Sequence, residues 1–74
     1  APVAAAWQDA ERERIPLFAD GVHPNAAGTY LAACVFYSVF YNQPAIGAEH
    51  GPVDARSAAT IQRLAWSAVS RHEF

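Results

Sequence analysis

The sequence predicts a small, mostly α-helical chain, with helices over about residues 4–14, 26–42 and 54–72 joined by loops. Three observations lead there. The stretch from Ala26 to about Tyr41 carries no charge and follows Pro24-Asn25, a strong helix-starting pair. From Asp54 onward, apolar residues recur at helical spacing. Between these stretches lie prolines and glycines, the residues that punctuate regular structure.

Taken in order, Ala1-Pro2-Val3 is short and apolar, and is expected to be the tail of a buried strand. Alanines, Gln8 and mixed acid and base residues favour a first helix from Ala4 to about Arg14. Ala6, Trp7, Ala10 and Arg14 fall along one side of it, which assigns Asp9, Arg12 and Glu13 to solvent. Ile15-Pro16 ends that helix, because the residue before a proline is pushed out of the α region. Leu17-Phe18-Ala19 then reads as an extended approach to the turn at Asp20.

Asn25 is the expected N-cap of the second helix, which is apolar on every side. Such a helix is buried in a larger body or lies in a membrane, and about 16 residues falls short of the ~20 that span a bilayer. A core helix is the reading, with no transmembrane segment, and Tyr30, Phe36, Tyr37, Phe40 and Tyr41 as core residues. Gly28 in its first turn costs about 1 kcal/mol against alanine, a sign that another backbone comes close there. Asn42-Gln43-Pro44 stops the helix, and the stretch to Val53 has the composition of an ordered loop. Asp54 is the expected cap of an amphipathic third helix. Ala58, Ile61, Ala65, Ala68 and His72 form its apolar stripe, with Leu64 and Val69 beside them, and Arg56, Arg63 and Arg71 lie off that face. Trp7 and Trp66 are expected packing anchors.

Composition bounds the functional classes. The chain has 74 residues and 53% hydrophobic content, high for a domain that buries only about 60% of its unfolded surface. Exposed apolar surface is therefore expected to meet a missing N-terminal part or a second copy. The chain begins at Ala1 and has no methionine, so it is expected to be processed or cut from a longer protein. Seven acidic residues against five arginines and no lysine, net charge -2, argue against nucleic acid as a partner. Nothing at the N-terminus resembles a signal peptide. Cys34, between apolar neighbours, reads as a small buried hydrophobe.

Chemistry concentrates in Asp20-Gly21-Val22-His23-Pro24-Asn25. A turn through Gly21 lets Asp20 and His23 point to one side, where the carboxylate fixes the ring tautomer and favours an imidazolium. That is the base and its orienting acid, without a nucleophile. On local grounds alone, the favoured reading is that Asp20 closes the turn through a bond to the Val22 nitrogen, with His23 an exposed loop residue.

From Leu17 to Tyr41, the Asp20-x-x-His23-Pro24 block, Asn25 and the run Ala27-Gly28-Thr29-Tyr30-Leu31-Ala32-Ala33-Cys34 resemble the last conserved block of SGNH (GDSL-type) hydrolases. The run Tyr30 to Tyr37 is similar to a bacterial subgroup of that family. Flanking stretches extend the resemblance: Pro2-Val3 with Ala6-Trp7, and Ile61-Gln62-Arg63-Leu64-Ala65-Trp66. Residues 1–74 would then be the C-terminal part of one incomplete domain, without an internal boundary. The resemblance implies an α/β/α sandwich for the whole protein, ester hydrolysis by a serine, no cofactor and no metal. It makes His23 the general base, Asp20 its orienter, and a small-molecule or carbohydrate ester the substrate. The family's Gly-Asp-Ser nucleophile and oxyanion donors have no counterpart in these residues, and Ala4 stands where the subgroup tends to have glycine. The chain alone is therefore expected to be inactive.

Two other functional classes draw on residues of the same chain. A metal site would draw on Asp20, His23, Glu49 and His50, which show no ligand spacing of known geometry. A non-catalytic helical interaction module would use the apolar second helix and the amphipathic third.

Overall fold

The computed structural model describes residues 2–20 and 23–71. Three helices make up its regular structure: α1 at Val3–Arg12, α2 at Ala26–Tyr41 and α3 at Ala55–Arg71. Among the described residues there is no strand; Phe18 and Pro24 form one isolated antiparallel bridge. The mostly helical expectation therefore holds for this chain.

Of the expected strand tail, Pro2 and Val3 belong to the start of a helix instead, and Ala1 lies outside the described residues. Pro2 is the N-cap of α1 and Val3 its first helical residue, and the Pro2 carbonyl accepts from the Ala6 N–H at 3.2 Å. Proline suits that edge, since it has no N–H to leave unpaired. The other end of α1 comes earlier than about Arg14. Arg14 takes a left-handed conformation, φ 63°, its N–H reaches the Glu11 carbonyl at 2.9 Å, and the Ile15 N–H reaches back to Ala10 at 3.1 Å. These are the two bonds of a Schellman motif, which satisfies the carbonyls that the helix end orphans. Pro16 then keeps the chain from resuming the helix.

In α2, the Asn25 side chain accepts the Gly28 N–H at 2.9 Å, the expected cap. Asn42 closes the helix in the left-handed conformation that asparagine tolerates. Asp54 caps α3 by accepting the Ser57 N–H at 2.9 Å, so the helix proper starts one residue later than expected. The expected last residue, His72, lies outside the described residues.

The core is the meeting place of the three helices. Ala6 and Ala10 of α1, Leu31, Cys34 and Val35 of α2, and Ala58, Ile61, Leu64, Ala65 and Ala68 of α3 are buried together. Small side chains on α1 and α3 let the helices approach, while Leu31, Ile61 and Val35 fill the centre. Trp7 is half-buried against this cluster, and Trp66 is half-buried on α3. A radius of gyration of 11.1 Å equals the ~11 Å of a closed globule of this length. The three helices thus pack as one compact unit.

Two expectations about faces are corrected. Asp9 was assigned to solvent, yet it is 7% exposed and paired with Arg71 of α3 at 2.7 Å and with Arg12. Its partner lies 62 residues away, beyond the reach of any local pattern. The second correction concerns α2. Phe36, Tyr37, Phe40 and Tyr41, expected in the core, are exposed, Phe40 by 83%. A helix that is apolar all round needs cover on every side, and α1 and α3 cover only the side bearing Gly28, Leu31, Cys34, Val35 and Ser38. The uncovered rings lean on one another, Tyr37 to Tyr41 at 4.8 Å and Phe40 to Tyr41 at 5.4 Å between centroids. Among the described residues, no helix is long and apolar enough to cross a membrane.

Candidate functional site: the Asp20–His23 loop

The loop that carries Asp20 and His23 is closed at its base by backbone bonds. Leu17, buried under α2, accepts the Asn25 N–H at 2.8 Å, and the Ala19 N–H donates to the His23 carbonyl at 2.7 Å. Phe18 and Pro24 face each other across this base, and the Phe18 ring packs on Trp7 of α1 at 5.1 Å. Gly28 makes this closeness possible. A β-carbon there would lie 2.4 Å from the Leu17 carbonyl oxygen and 2.8 Å from the Trp7 ring. The backbone approach expected from a glycine in the first helical turn is thus that of the site loop itself.

At the tip, the structure brings the two predicted side chains together. His23 Nδ1 lies 3.1 Å from Asp20 Oδ2 and 3.2 Å from Oδ1. Asp20 Oδ1 also accepts the His23 backbone N–H at 2.9 Å. Asp20 therefore closes the loop onto His23 alongside the ring contact; the expected bond to the Val22 nitrogen falls outside the described residues. A carboxylate only accepts, so Nδ1 carries the proton and Nε2 is the ring's lone-pair nitrogen. Both side chains are well exposed, at 75% and 61%. Water screens such a pair, which contributes about 0–1 kcal/mol to stability. Its effect is orientation of the ring.

Among the described residues, nothing completes an acyl-transfer site. Ser38, Ser57, Ser67 and Ser70 all lie within α2 or α3, and among the described residues none is hydrogen-bonded to His23. Ser38 is fully buried with its Oγ unpartnered. Cys34 is 2% exposed, and burial pushes its thiol above the usual range, which disfavours the nucleophilic thiolate. Tyr30 is likewise pushed up by burial.

Glu49 and His50, the other two residues weighed as metal ligands, sit beside a shallow hollow between Thr29, Tyr30 and Ala33 of α2 and the 49–53 loop. His50 Nδ1 is 2.5 Å from the Val53 carbonyl, so that nitrogen holds a proton and is not a ligand. Among the described residues no three of His, Cys, Asp and Glu gather as a metal site would require.

Sequence reasoning overlooked Gln62. It is 4% exposed, accepts the Gly47 N–H at 3.0 Å and donates to the Tyr30 hydroxyl at 2.8 Å. One side chain thus ties α3 to α2 and to the loop between them. The signal was present, because position 62 follows Ala58 by four residues and falls on the buried stripe.

Comparison with known proteins gave no match: no family model, no curated protein and no solved structure resembles this chain closely enough to register.

Proposed function

We propose that the chain carries the Asp–His half of a serine hydrolase site of the SGNH (GDSL) type, acting on ester bonds once it is joined to a body that holds the serine and the oxyanion donors. The observation behind this reading is the contact of His23 Nδ1 with both oxygens of Asp20, at 3.1 and 3.2 Å. In that arrangement the carboxylate holds the ring so that Nε2 can take a proton from a hydroxyl, and it stabilises the imidazolium that results. The larger protein would be an α/β/α sandwich in which the uncovered rings of α2 are buried. The substrate would be a small-molecule or carbohydrate ester, and no cofactor is required.

The reading is tested by extending the coding sequence upstream and assaying the longer protein on p-nitrophenyl acetate. Activity that falls with His23→Ala, and by up to roughly 10⁴ in kcat with Asp20→Asn, is expected. An upstream segment without a serine able to meet His23, or a longer protein indifferent to both substitutions, refutes it. The 74-residue chain alone is expected to be inert toward the same ester.

A separate observation favours a second reading, a non-catalytic helical interaction module. Phe36, Val39, Phe40, Tyr41 and Ile46 form exposed apolar surface on and just beyond α2, and such patches mark contact surfaces. This reading asks less of the chain, since it needs only the helices and that surface. It then treats the Asp20–His23 contact as a loop staple. A longer protein that lacks esterase activity, with a 74-residue chain that sediments as a well-folded dimer, selects it.

A further inference from the structure

We infer that Asn25 is the positioning residue of the Asp20–His23 pair, clamping the base of the loop through both ends of its side-chain amide; this rests on reading that pair as half of a hydrolase site. The amide makes two bonds in opposite directions. Its Oδ1 accepts the Gly28 N–H at 2.9 Å, which joins it to the first turn of α2. Its Nδ2 donates to the Pro16 carbonyl at 2.9 Å, nine residues back, where the chain enters the loop. The Asn25 backbone N–H adds a third bond, to the Leu17 carbonyl at 2.8 Å.

A helix cap needs only the oxygen. Asp and Ser are about as good as Asn in that role, yet neither can also reach Pro16: a carboxylate has no hydrogen to donate, and a serine hydroxyl is too short for both partners. The choice of asparagine is thus explained by the entering chain and not by the helix. At the tip the ion pair is exposed and screened, and Asp20 also accepts the His23 backbone N–H at 2.9 Å; the base fixes where the two ends of the turn emerge, and with them the angle at which His23 meets Asp20. There Asn25 joins Pro16, Leu17 and Gly28 through one backbone and two side-chain bonds, beside the Ala19–His23 backbone bond.

The 74-residue chain itself serves for the test, with Asn25→Asp and Asn25→Ser as variants that keep a cap and lose the second bond. Nitrogen-15 NMR of the His23 ring, at a pH where it is neutral, reads the share of the Nδ1–H tautomer. Hydrogen exchange reads the Ala19 and Asn25 amides, and circular dichroism reads α2. Both variants should keep their helicity while the two amides lose roughly fivefold or more in protection, the equivalent of one hydrogen bond. The His23 tautomer should move toward that of free imidazole. Wild-type protection and tautomer in both variants would make Asn25 a cap and nothing more, and loss of helicity in both would make it a stability residue; either overturns the inference. Asp20→Asn separates the two levels. If it leaves the tautomer unmoved, the reading of the pair fails, whereas a tautomer that responds to Asp20→Asn but not to the Asn25 variants sinks only the positioning role.

Discussion

Gly28→Ala is the substitution for which the local and tertiary effects have opposite signs. In an isolated helix, alanine would stabilise the first turn of α2 by about 1 kcal/mol. In the folded chain, the new methyl would sit 2.4 Å from the Leu17 carbonyl oxygen, 2.8 Å from the Trp7 ring and 3.1 Å from Pro24 Cβ. The Trp7 ring is a side chain at the edge of the core and can turn aside. The Leu17 oxygen is backbone, and it already accepts the Asn25 N–H at 2.8 Å. To reach ordinary contact it must retreat by about 1 Å, which breaks that bond at a cost of about 1 kcal/mol on top of the 1–3 kcal/mol typical of overpacking. Overpacking and the lost bond exceed the propensity gain, so the variant should be less stable by about 1–3 kcal/mol. For a chain of this size each kcal/mol lowers Tm by roughly 4–8 °C. Urea titration followed by circular dichroism and Trp fluorescence measures the loss, and hydrogen exchange at Asn25 should show it locally. A variant as stable as the parent chain, or more so, with Asn25 still protected, would show that the site loop does not press on α2 and refute the account of why glycine stands there.

Two further perturbations probe the contacts that hold the helices to one another. Arg71 foremost, with Arg12, holds the Asp9 carboxyl below its ordinary value, so the pair's stabilisation is complete above about pH 4 and is lost as pH falls through the lowered value. Asp9→Asn should cost about 1–3 kcal/mol at pH 7, and the gap from wild type in urea midpoints should close toward pH 2; a gap that stays constant with pH refutes the assignment. Gln62→Leu fills the same space but strands the Gly47 N–H and removes the donor to Tyr30. It should destabilise the chain by about 1–3 kcal/mol, with faster exchange at Gly47, and wild-type exchange there would mean that the 45–53 loop is held by other contacts.

The helices were legible in the residues because their signals are local. Asn25 and Asp54 cap through atoms three residues away, the stripe of Ala58, Ile61, Ala65 and Ala68 repeats within one helix, and Pro16 and Pro44 act on their own neighbours. Asp20 and His23 were legible for the same reason, since a pairing three residues apart needs only a turn between them. The right end of α1 was less so. A left-handed arginine at position 14 is an unfavourable local choice that the bonds to Glu11 and Ala10 compensate.

By itself, then, the amino-acid order determined three helices, the N-caps of the second and third, and an acid beside an imidazole on the loop between the first two. Tertiary structure alone decided that Asp9 turns inward, because its counter-charge arrives from Arg71 at the far end of the chain. It also decided that the aromatic side of α2 remains uncovered, because two neighbours cannot surround a helix that is apolar on every side. Hydrophobicity states how much surface should be hidden; only the placement of the other helices determines which part of it is.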